Sequence, residues 1–320
     1  MKFLIIGGGS IGQRHLKNLV KLGYTDLYCF KRSYSKEFEK DFKCKVLTNI
    51  KEVKLLKPEA ILICNPTSMH AKWIEIADKI NANVFVEKPL IHNQEGLNDV
   101  KKAWNNKKVF FIGFMLRYHP LVKKVKELIE KGKLGRIYSS RLEFGSWLPY
   151  WHPWEDYKRS YASNKNMGGG VINTITHELD LAQYFFGNPI AVKSVKANFG
   201  ILGIDVEEIA ESIFVYDDKL VTLHVDFLQK DYDRSIKILG SNGKLVWDWH
   251  SNAVNVHLHK GIKERYALED FDVNQLYIDE LKDFIDCITS KKMNHCLDFS
   301  HAVSNTELMI EIHNSNERNK

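Results

Sequence analysis

The sequence predicts an α/β protein in which a doubly wound parallel sheet is followed by an α+β domain with a large, open, mostly antiparallel sheet. Three observations predict this fold. The 320 residues are too many for one ordinary core. Apolar runs alternate with helical patterns in the first third, as in βαβ units. Strand-like runs joined by tight turns dominate the later part, which indicates antiparallel pairing. We expect two domains, residues 1–118 and 119–320.

The first element is an apolar run, Phe3–Ile6, which is typical of a strand buried on both faces. Glycines follow it in the spacing G-x-G-x-x-G, and a helical pattern then begins. A strand, a glycine turn and a helix in this order form the dinucleotide-binding fingerprint of a Rossmann fold. The alternative is a turn with a purely structural role. On the first interpretation, the predicted cofactor contacts in this segment are Gly7, Gly9, Ser10, Ile11 and Gly12.

Further predicted strands are Leu27–Phe30, Ala60–Cys64, Asn83–Val86 and Val109–Ile112, with a helix over His70–Ile80. Ligands of such sheets bind outside the carboxyl ends of the strands. The residues that follow the strands are therefore candidates for contacts with the cofactor. They are Asn65, Pro66, Thr67 and His70 after the third strand, and Glu87 and Lys88 after the fourth.

The second strand is followed by Lys31, Arg32 and Ser33. A site that prefers NAD(H) normally has an Asp or Glu here for the ribose hydroxyls. Arginine instead suits a 2′-phosphate, which it can bind through two hydrogen bonds, and a serine hydroxyl can donate another. We therefore expect NADP(H) to be preferred, with NAD(H) possible. The alternative is that the two cations merely begin a solvated loop.

The second domain is predicted to begin with a helix over Leu121–Lys131. Turn signals at Asp217–Lys219 and Ser241–Gly243 separate runs that read as antiparallel strands. Helical patterns that include Tyr277–Ile288 and Met309–Ile312 close the chain. The predicted strands are Ile137–Phe144, Ile190–Asn198, Ile209–Tyr216, Leu220–Phe227, Ser235–Leu239, Lys244–Trp249 and Ala253–His259.

Residues 147–180 form the most unusual segment. Its first part is rich in aromatic residues, among them Trp151, and is interrupted by prolines, so a helix cannot continue through it. Such a loop suits either a sugar-like ligand or a subunit or domain contact. Three glycines, residues 168–170, then precede a predicted helix. On that helix the spacing puts Asn173, His177 and Asp180 on one face, which suggests a functional role for the histidine.

Composition argues against several other classes of protein. Lys and Arg total 46 against 40 Asp and Glu, a mild excess that is mostly scattered, so we expect no nucleic-acid partner. The five cysteines lack metal-ligand spacing, so we expect no metal site and reduced thiols in a cytoplasm. The fingerprint begins at the N-terminus, so we expect no signal peptide before it. No apolar run approaches the length of a membrane span, so we expect no membrane association.

These motifs together resemble the glucose–fructose oxidoreductase and inositol dehydrogenase family, abbreviated Gfo/Idh/MocA. The resemblance covers essentially the whole chain, and its parts occur in the family's order. They are residues 7–12, Asn65-Pro66-Thr67 with His70, Glu87-Lys88-Pro89, and residues 168–180. Each motif is short, but their combination at these separations is specific.

The resemblance implies NAD(P)-dependent hydride transfer at a carbon bearing oxygen, usually on a sugar, polyol or nucleotide sugar. It implies Lys88 as the substrate-facing lysine and His177 as the general acid/base. It also implies a second-domain sheet that forms the interface of a homo-oligomer, a dimer or tetramer. We expect substrate contacts from Asn173, Asp180, Arg117 and Trp151.

One position departs from the family pattern. The family commonly has an aspartate one helical turn before the histidine, where this chain has Asn173. An amide neither accepts a proton nor supplies a negative charge. An alternative function is therefore a cofactor-bound sensor or assembly protein that has lost turnover.

Overall fold

The computed structural model describes residues 1–105, 107–293 and 295–315, and the chain packs as two compact units. The first unit contains residues 1–115 and 273–306. The second contains residues 116–272 and the chain from residue 307. The predicted division into two consecutive ranges did not include the return of residues 273–306 to the first unit.

The first unit is built on a parallel sheet with the strand order β3-β2-β1-β4-β5-β6. Its strands are β1 (Phe3–Ile6), β2 (Leu27–Phe30), β3 (Lys45–Leu47), β4 (Ala60–Ile63), β5 (Asn83–Glu87) and β6 (Phe110–Gly113). Its connecting helices are α1 (Ser10–Lys21), α2 (Lys36–Phe42), α3 (Ile50–Leu56), α4 (His70–Lys79) and α5 (Gln94–Ala103). The predicted Rossmann sheet is thereby confirmed. Sequence reasoning missed β3, a three-residue edge strand with one buried side chain.

The second unit is built on a larger, mixed sheet with the order β14-β13-β12-β11-β7-β10-β9-β8. Its strands are β7 (Ile137–Gly145), β8 (Ala191–Ala197), β9 (Ile209–Val215), β10 (Leu220–Asp226), β11 (Asp233–Gly240), β12 (Gly243–Asp248), β13 (Ala253–Leu258) and β14 (Lys263–Ala267). The pair β7–β10 is parallel and the other pairs are antiparallel. The mostly antiparallel sheet and both predicted turns are therefore confirmed. The missed strand β14 is a charged edge strand.

Side chains alternate across this sheet, as the period of two requires. Val221, Leu223 and Val225 of β10 are buried, whereas Leu220 is exposed on the opposite face. The helices of this unit are α6 (Pro120–Glu130), α7 (Val171–Thr174) and α8 (His177–Phe186). Both α7 and α8 contact β10 on the apolar face of the sheet, and on the other face the described residues leave side chains such as Leu220 exposed.

Two long helices close the chain, α9 (Asn274–Thr289) and α10 (Phe299–Asn314). Helix α9 packs on α1, where the side-chain amides of Asn18 and Asn274 donate to each other at 3.3 and 2.8 Å. Farther along α9, Phe284 contacts the rings of Phe85 and Phe111 from the parallel sheet. These contacts explain why residues 273–306 belong to the first unit. Within the described residues, no helix is both long enough and apolar enough to span a membrane.

Candidate cofactor and active site

The glycine turn after β1 leaves room where a bound phosphate group would need it. Gly7 adopts a φ of +105°, and a Cβ there would lie 2.9 Å from the carbonyl oxygen of Cys64. A Cβ at Gly12 would overlap the carbonyl oxygen of Gly7. A Cβ at Gly9, in contrast, would meet no described atom within 4 Å. Gly7 and Gly12 are thus required by the turn, whereas Gly9 faces open space.

Helix α1 begins immediately after this turn, with Gly9 as its N-cap. No side chain of the described residues caps it, and its first turn contains no acidic residue. Backbone N–H groups at such an end are free to bind an anion, and the helix dipole favours negative charge there. Ser10 and Ile11 supply two of these N–H groups. The arrangement fits the pyrophosphate of a dinucleotide.

The three candidates after β2 differ in their surroundings. The Lys31 ammonium lies 4.1 Å from the centre of the Phe38 ring. That ring also lies against the backbone of Gly8. Arg32 and Ser33 are exposed. The lysine is therefore held beside the glycine turn, while the arginine and serine remain accessible to a ligand.

The segment after β4 contains a buried side-chain amide, that of Asn65, for which the described residues offer no hydrogen-bond partner. Both Oδ1 and Nδ2 of Asn65 are buried, and neither has a partner among the described residues. Buried polar atoms normally find a partner, so these two atoms indicate a ligand position. Pro66 and Thr67 then lead through a short 3₁₀ turn, Thr67–Met69, into α4.

His70 holds two loops together. Its ring is buried, with Nδ1 3.0 Å from the carbonyl oxygen of Leu90 and Nε2 2.9 Å from that of Asn65. Burial lowers the pKa of this histidine, although the two carbonyl contacts act in the opposite direction. Both ring nitrogens thus face backbone, and His70 links the segment after β4 to the segment after β5. Its role as a direct cofactor contact stays a prediction.

The segment after β5 contains the candidate catalytic lysine. Glu87 ends the strand, and its Oε1 lies 2.7 Å from Nε2 of His15 on α1. Lys88 follows, half-buried, and the Lys88–Pro89 peptide bond is cis. His15 is fully buried between Phe85 and Tyr277. It therefore positions Glu87 beside Lys88. Sequence reasoning missed this role, since nothing local to residue 15 marks its partner.

In the second unit, the predicted helix through Asn173, His177 and Asp180 is wrong. Helix α7 ends at Thr174, Ile175 adopts a φ of −104° and a ψ of 60°, and α8 begins at His177. Because the chain bends between them, Asn173 and His177 do not share one helical face. Five of the six residues 171–176 are β-branched, all except Asn173. Such residues lose χ1 freedom in a helix, so the break costs little here.

Asn173 is buried and engaged on both sides. Its Nδ2 donates to the carbonyl oxygen of Gly169 at 2.9 Å, and its Oδ1 lies 2.8 Å from Nε2 of His313 on α10. His177, which is 8% exposed, occupies the first position of α8. The two candidates therefore stand on either side of a bend. Their contacts with substrate stay predictions.

Asp180 and Arg117 form a buried pair. Arg117 donates from Nε to Oδ2 at 2.8 Å and from Nη2 to Oδ1 at 2.7 Å. The side chains are 7% and 1% exposed. A bidentate pair of this kind fixes α8 relative to the segment that precedes α6. The pair thus positions the helix that carries His177, and direct contact of either residue with substrate stays a prediction.

Trp151 is held by its own unit. Its indole N–H donates to Ser146 Oγ at 2.8 Å, and its ring packs edge-on against Phe144 and Phe227. Tyr150 and Trp154 of this loop are instead exposed, at 64% and 74%. The predicted irregular loop is confirmed as a series of 3₁₀ turns. Nothing in these contacts assigns Trp151 to a substrate.

The structure thus gathers the candidates into two groups. At the carboxyl ends of β1, β4 and β5 it brings together the glycine turn, Asn65 and Lys88, all in the first unit. Around the bend in the second unit it brings together Asn173, His177 and Asp180. Among the described residues, no group of three His, Cys, Asp or Glu side chains is placed to hold a metal ion.

Comparison with known proteins gives matches over both units. The model for the oxidoreductase family with an NAD-binding Rossmann fold matches residues 1–114, and the GFO/IDH/MocA C-terminal domain matches residues 122–246. The myo-inositol 2-dehydrogenase of Thermotoga maritima is 28% identical over 316 residues, 91% of this chain and 89% of its own. An uncharacterised oxidoreductase of Bacillus subtilis is 25% identical over 262 residues, 76% and 72% of the two chains. The structure of a levoglucosan dehydrogenase in complex with NADH superposes with a TM-score of 0.88 at 18% identity, covering 99% of this chain and 96% of that one.

Proposed function

The chain belongs to the Gfo/Idh/MocA family of NAD-binding oxidoreductases, and from this premise we propose that it transfers a hydride between a nicotinamide cofactor and a carbon bearing oxygen on a sugar, polyol or nucleotide sugar. One observation carries the proposal. The open glycine turn, the amide of Asn65 and the side chain of Lys88 follow neighbouring strands of one parallel sheet. That edge is where such sheets bind nucleotides.

The cofactor, when bound, supplies or accepts the hydride. The protein's own groups then handle the charge and the proton on the reacting oxygen. Lys88 donates a hydrogen bond to that oxygen and stabilises negative charge that develops on it. His177 removes the hydroxyl proton in oxidation and returns one in reduction. The pair Glu87–His15 fixes the segment that carries Lys88.

The two catalytic assignments are tested with Lys88→Ala and His177→Ala. Each variant should lower kcat by about a hundredfold or more and leave the Kd for NADH near that of wild type. Lys107→Ala and His259→Ala, at exposed positions, are the matched controls. The substrate panel contains myo-inositol, scyllo-inositol, levoglucosan and nucleotide sugars, with reduced nicotinamide followed by its absorbance. Wild-type rates in either catalytic variant would remove that residue from the mechanism.

We further propose that NADP(H) is the preferred cofactor. The sequence has no carboxylate among residues 30–34, and Arg32 and Ser33 are exposed directly after β2. Hydrogen bonds to a charged group contribute about 1.5–3 kcal/mol each, so Arg32→Ala should weaken NADPH binding by about tenfold or more and leave NADH binding unchanged. Lys54→Ala, an exposed cation on α3, is the control. A wild-type kcat/KM that favours NADH would overturn this preference.

A second candidate function rests on Asn173. If the amide in place of the family's aspartate abolishes turnover, the protein is a cofactor-bound sensor or assembly partner. It would then bind NADH or NADPH tightly and turn over no member of the panel. Because Lys88 and His177 are both present, we favour the enzyme.

We also propose that the open face of the larger sheet joins copies of this chain. Ile213, Leu220 and Leu239 are 43–49% exposed on that face. Light scattering should show a dimer or tetramer, and Ile213→Glu should shift it toward monomer, whereas Leu55→Glu on the exposed side of α3 should not. A monomeric wild type at micromolar concentration would contradict this.

Residence in the cytoplasm stays a prediction.

A further inference from the structure

Asn173 is the third side chain in a series of hydrogen bonds that begins at Lys196 and passes through His313. The chemistry of these groups determines which atom donates and which accepts in each bond. Lys196 on β8 donates from Nζ to Nδ1 of His313, at 3.1 Å, and to the carbonyl oxygen of the same residue, at 3.0 Å. An ammonium group has donors only, so Nδ1 must accept. The imidazole is then neutral, with its proton on Nε2, and this N–H donates to Asn173 Oδ1 at 2.8 Å.

The last hydrogen bond of this series requires a donor on the side chain of residue 173. The carbonyl oxygen of Gly169 accepts from Asn173 Nδ2 at 2.9 Å, in a buried position. An asparagine accepts from His313 and donates to Gly169 at once. A carboxylate has no hydrogen for Gly169, and two oxygens would then face each other without one. The surroundings of residue 173 are therefore complementary to an amide.

We propose that Asn173 is a positioning residue that holds the bend between α7 and α8, directly before His177. His313 and Lys196 make an amide the residue type that fits this position. This assignment rests on the proposed function and changes the interpretation of the departure from the family pattern. Asn173 is not a weakened catalytic acid. Together with His313 and Lys196 it forms a series of hydrogen bonds that connects β8, α10 and the glycine segment to the start of α8.

The bend is supported from its other side as well. Glu207 accepts from the backbone N–H of Ile172 at 3.2 Å, and its own carbonyl oxygen accepts from Val171 at 3.3 Å. Burial raises the pKa of Glu207, and the charge of Lys196 acts in the opposite direction. Helix α7 has four residues, too few to be stable by itself. Side chains from outside therefore determine its geometry, and removing one should change where α8 begins.

The first test does not depend on turnover. In protein with ¹⁵N-labelled histidine, NMR should show the His313 signal, assigned by its loss in His313→Gln, as a neutral ring protonated at Nε2. Lys196→Met should allow a mixture of the two tautomers, and Lys193→Met, an exposed lysine on the same strand, should change nothing. A wild-type His313 protonated at Nδ1, or at both nitrogens, would overturn the proposal.

The second test uses the sugar and polyol panel with NAD and NADP. His313→Leu should lower kcat by about tenfold, the effect of one hydrogen bond to a buried polar group, with the Kd for NADH unchanged. His313→Gln, which keeps a donor, should recover most of the rate. Asn173→Asp should lower both kcat and the midpoint of thermal unfolding.

Three results of this second test would overturn the proposal: an Asn173→Asp variant faster than wild type, a His313→Leu variant at the wild-type rate, or a His313→Gln variant as slow as His313→Leu. If wild type turns over no substrate, the proposed function fails. The tautomer measurement and the unfolding of Asn173→Asp still decide the role of Asn173.

Discussion

Gly9 separates cofactor binding from folding, so Gly9→Ala is the sharpest single test of the glycine turn. Its φ of −74° and ψ of −175° are accessible to alanine, and an added Cβ meets no described atom within 4 Å. Alanine restricts the unfolded chain but is a poorer N-cap than glycine, so the free energy of unfolding should change by less than about 1 kcal/mol. The methyl group would nevertheless occupy the space over the N-terminus of α1 that a pyrophosphate needs.

The expected loss follows from the hydrogen bonds that the phosphates would no longer make. At about 1.5–3 kcal/mol for bonds to a charged group, the Kd for NADH and NADPH should rise by about tenfold to a hundredfold. Isothermal titration calorimetry measures the Kd, and urea unfolding followed by circular dichroism measures the stability. The result that refutes the reasoning is a Gly9→Ala protein that binds both cofactors like wild type.

Two other glycines supply controls whose expected effects on stability and cofactor binding differ from those of Gly9→Ala. Gly23, at the end of α1, has a φ of +89° with open space around it, so Gly23→Ala should cost about 1–2 kcal/mol of stability and leave cofactor binding intact. A Cβ at Gly12 would overlap Gly7, so Gly12→Ala should impair both properties. If all three variants lost stability and binding together, the open space at Gly9 would have no specific function.

Two further predictions concern the second unit. Asp180→Leu leaves the buried guanidinium of Arg117 without its carboxylate and should lower the free energy of unfolding by about 3–5 kcal/mol, measured by urea denaturation; a loss below about 1 kcal/mol would contradict it. The hydrogen bond to Asp226, with that to Glu211, raises the pKa of His224 to about 9 against the opposing effect of burial. A raised pKa stabilises the fold fully below the unfolded value, about 6.5, and this contribution is lost as the pH rises toward 9. Thermal unfolding from pH 6 to 10 should show that decline in wild type and less of it in His224→Gln.

Much of the fold was predictable because it depends on local patterns. The strands of the parallel sheet are short apolar runs, and the hairpins of the second sheet follow turn residues such as Asp217 and Gly243. The position of Lys88 followed from the same logic, since a residue after a buried parallel strand lies at the ligand-binding edge. Edge strands β3 and β14 were not predicted, because each contains few apolar residues.

The bend before His177 was not predictable from spacing. A separation of four residues puts two side chains on one face only if the helix between them is continuous. The run from Val171 to Thr176 is poor in helix formers, and that signal was available in the sequence. It was outweighed by the regular spacing of three polar residues, which the structure shows to be divided between two helices.

The residues that sequence reasoning missed share one property: each contacts a candidate site residue far away along the chain. His15 meets Glu87 across 72 positions, and His313 meets Asn173 across 140. Neither histidine lies in a recognisable motif, because its function is defined by a partner that only the fold brings near. Motifs therefore locate the candidates for ligand contact, whereas the geometry of those groups depends on supporting contacts that local patterns do not record. For that reason an apparently degenerate residue such as Asn173 has to be judged against its neighbours, here a donor on one side and an acceptor on the other, before it is counted as a loss of function.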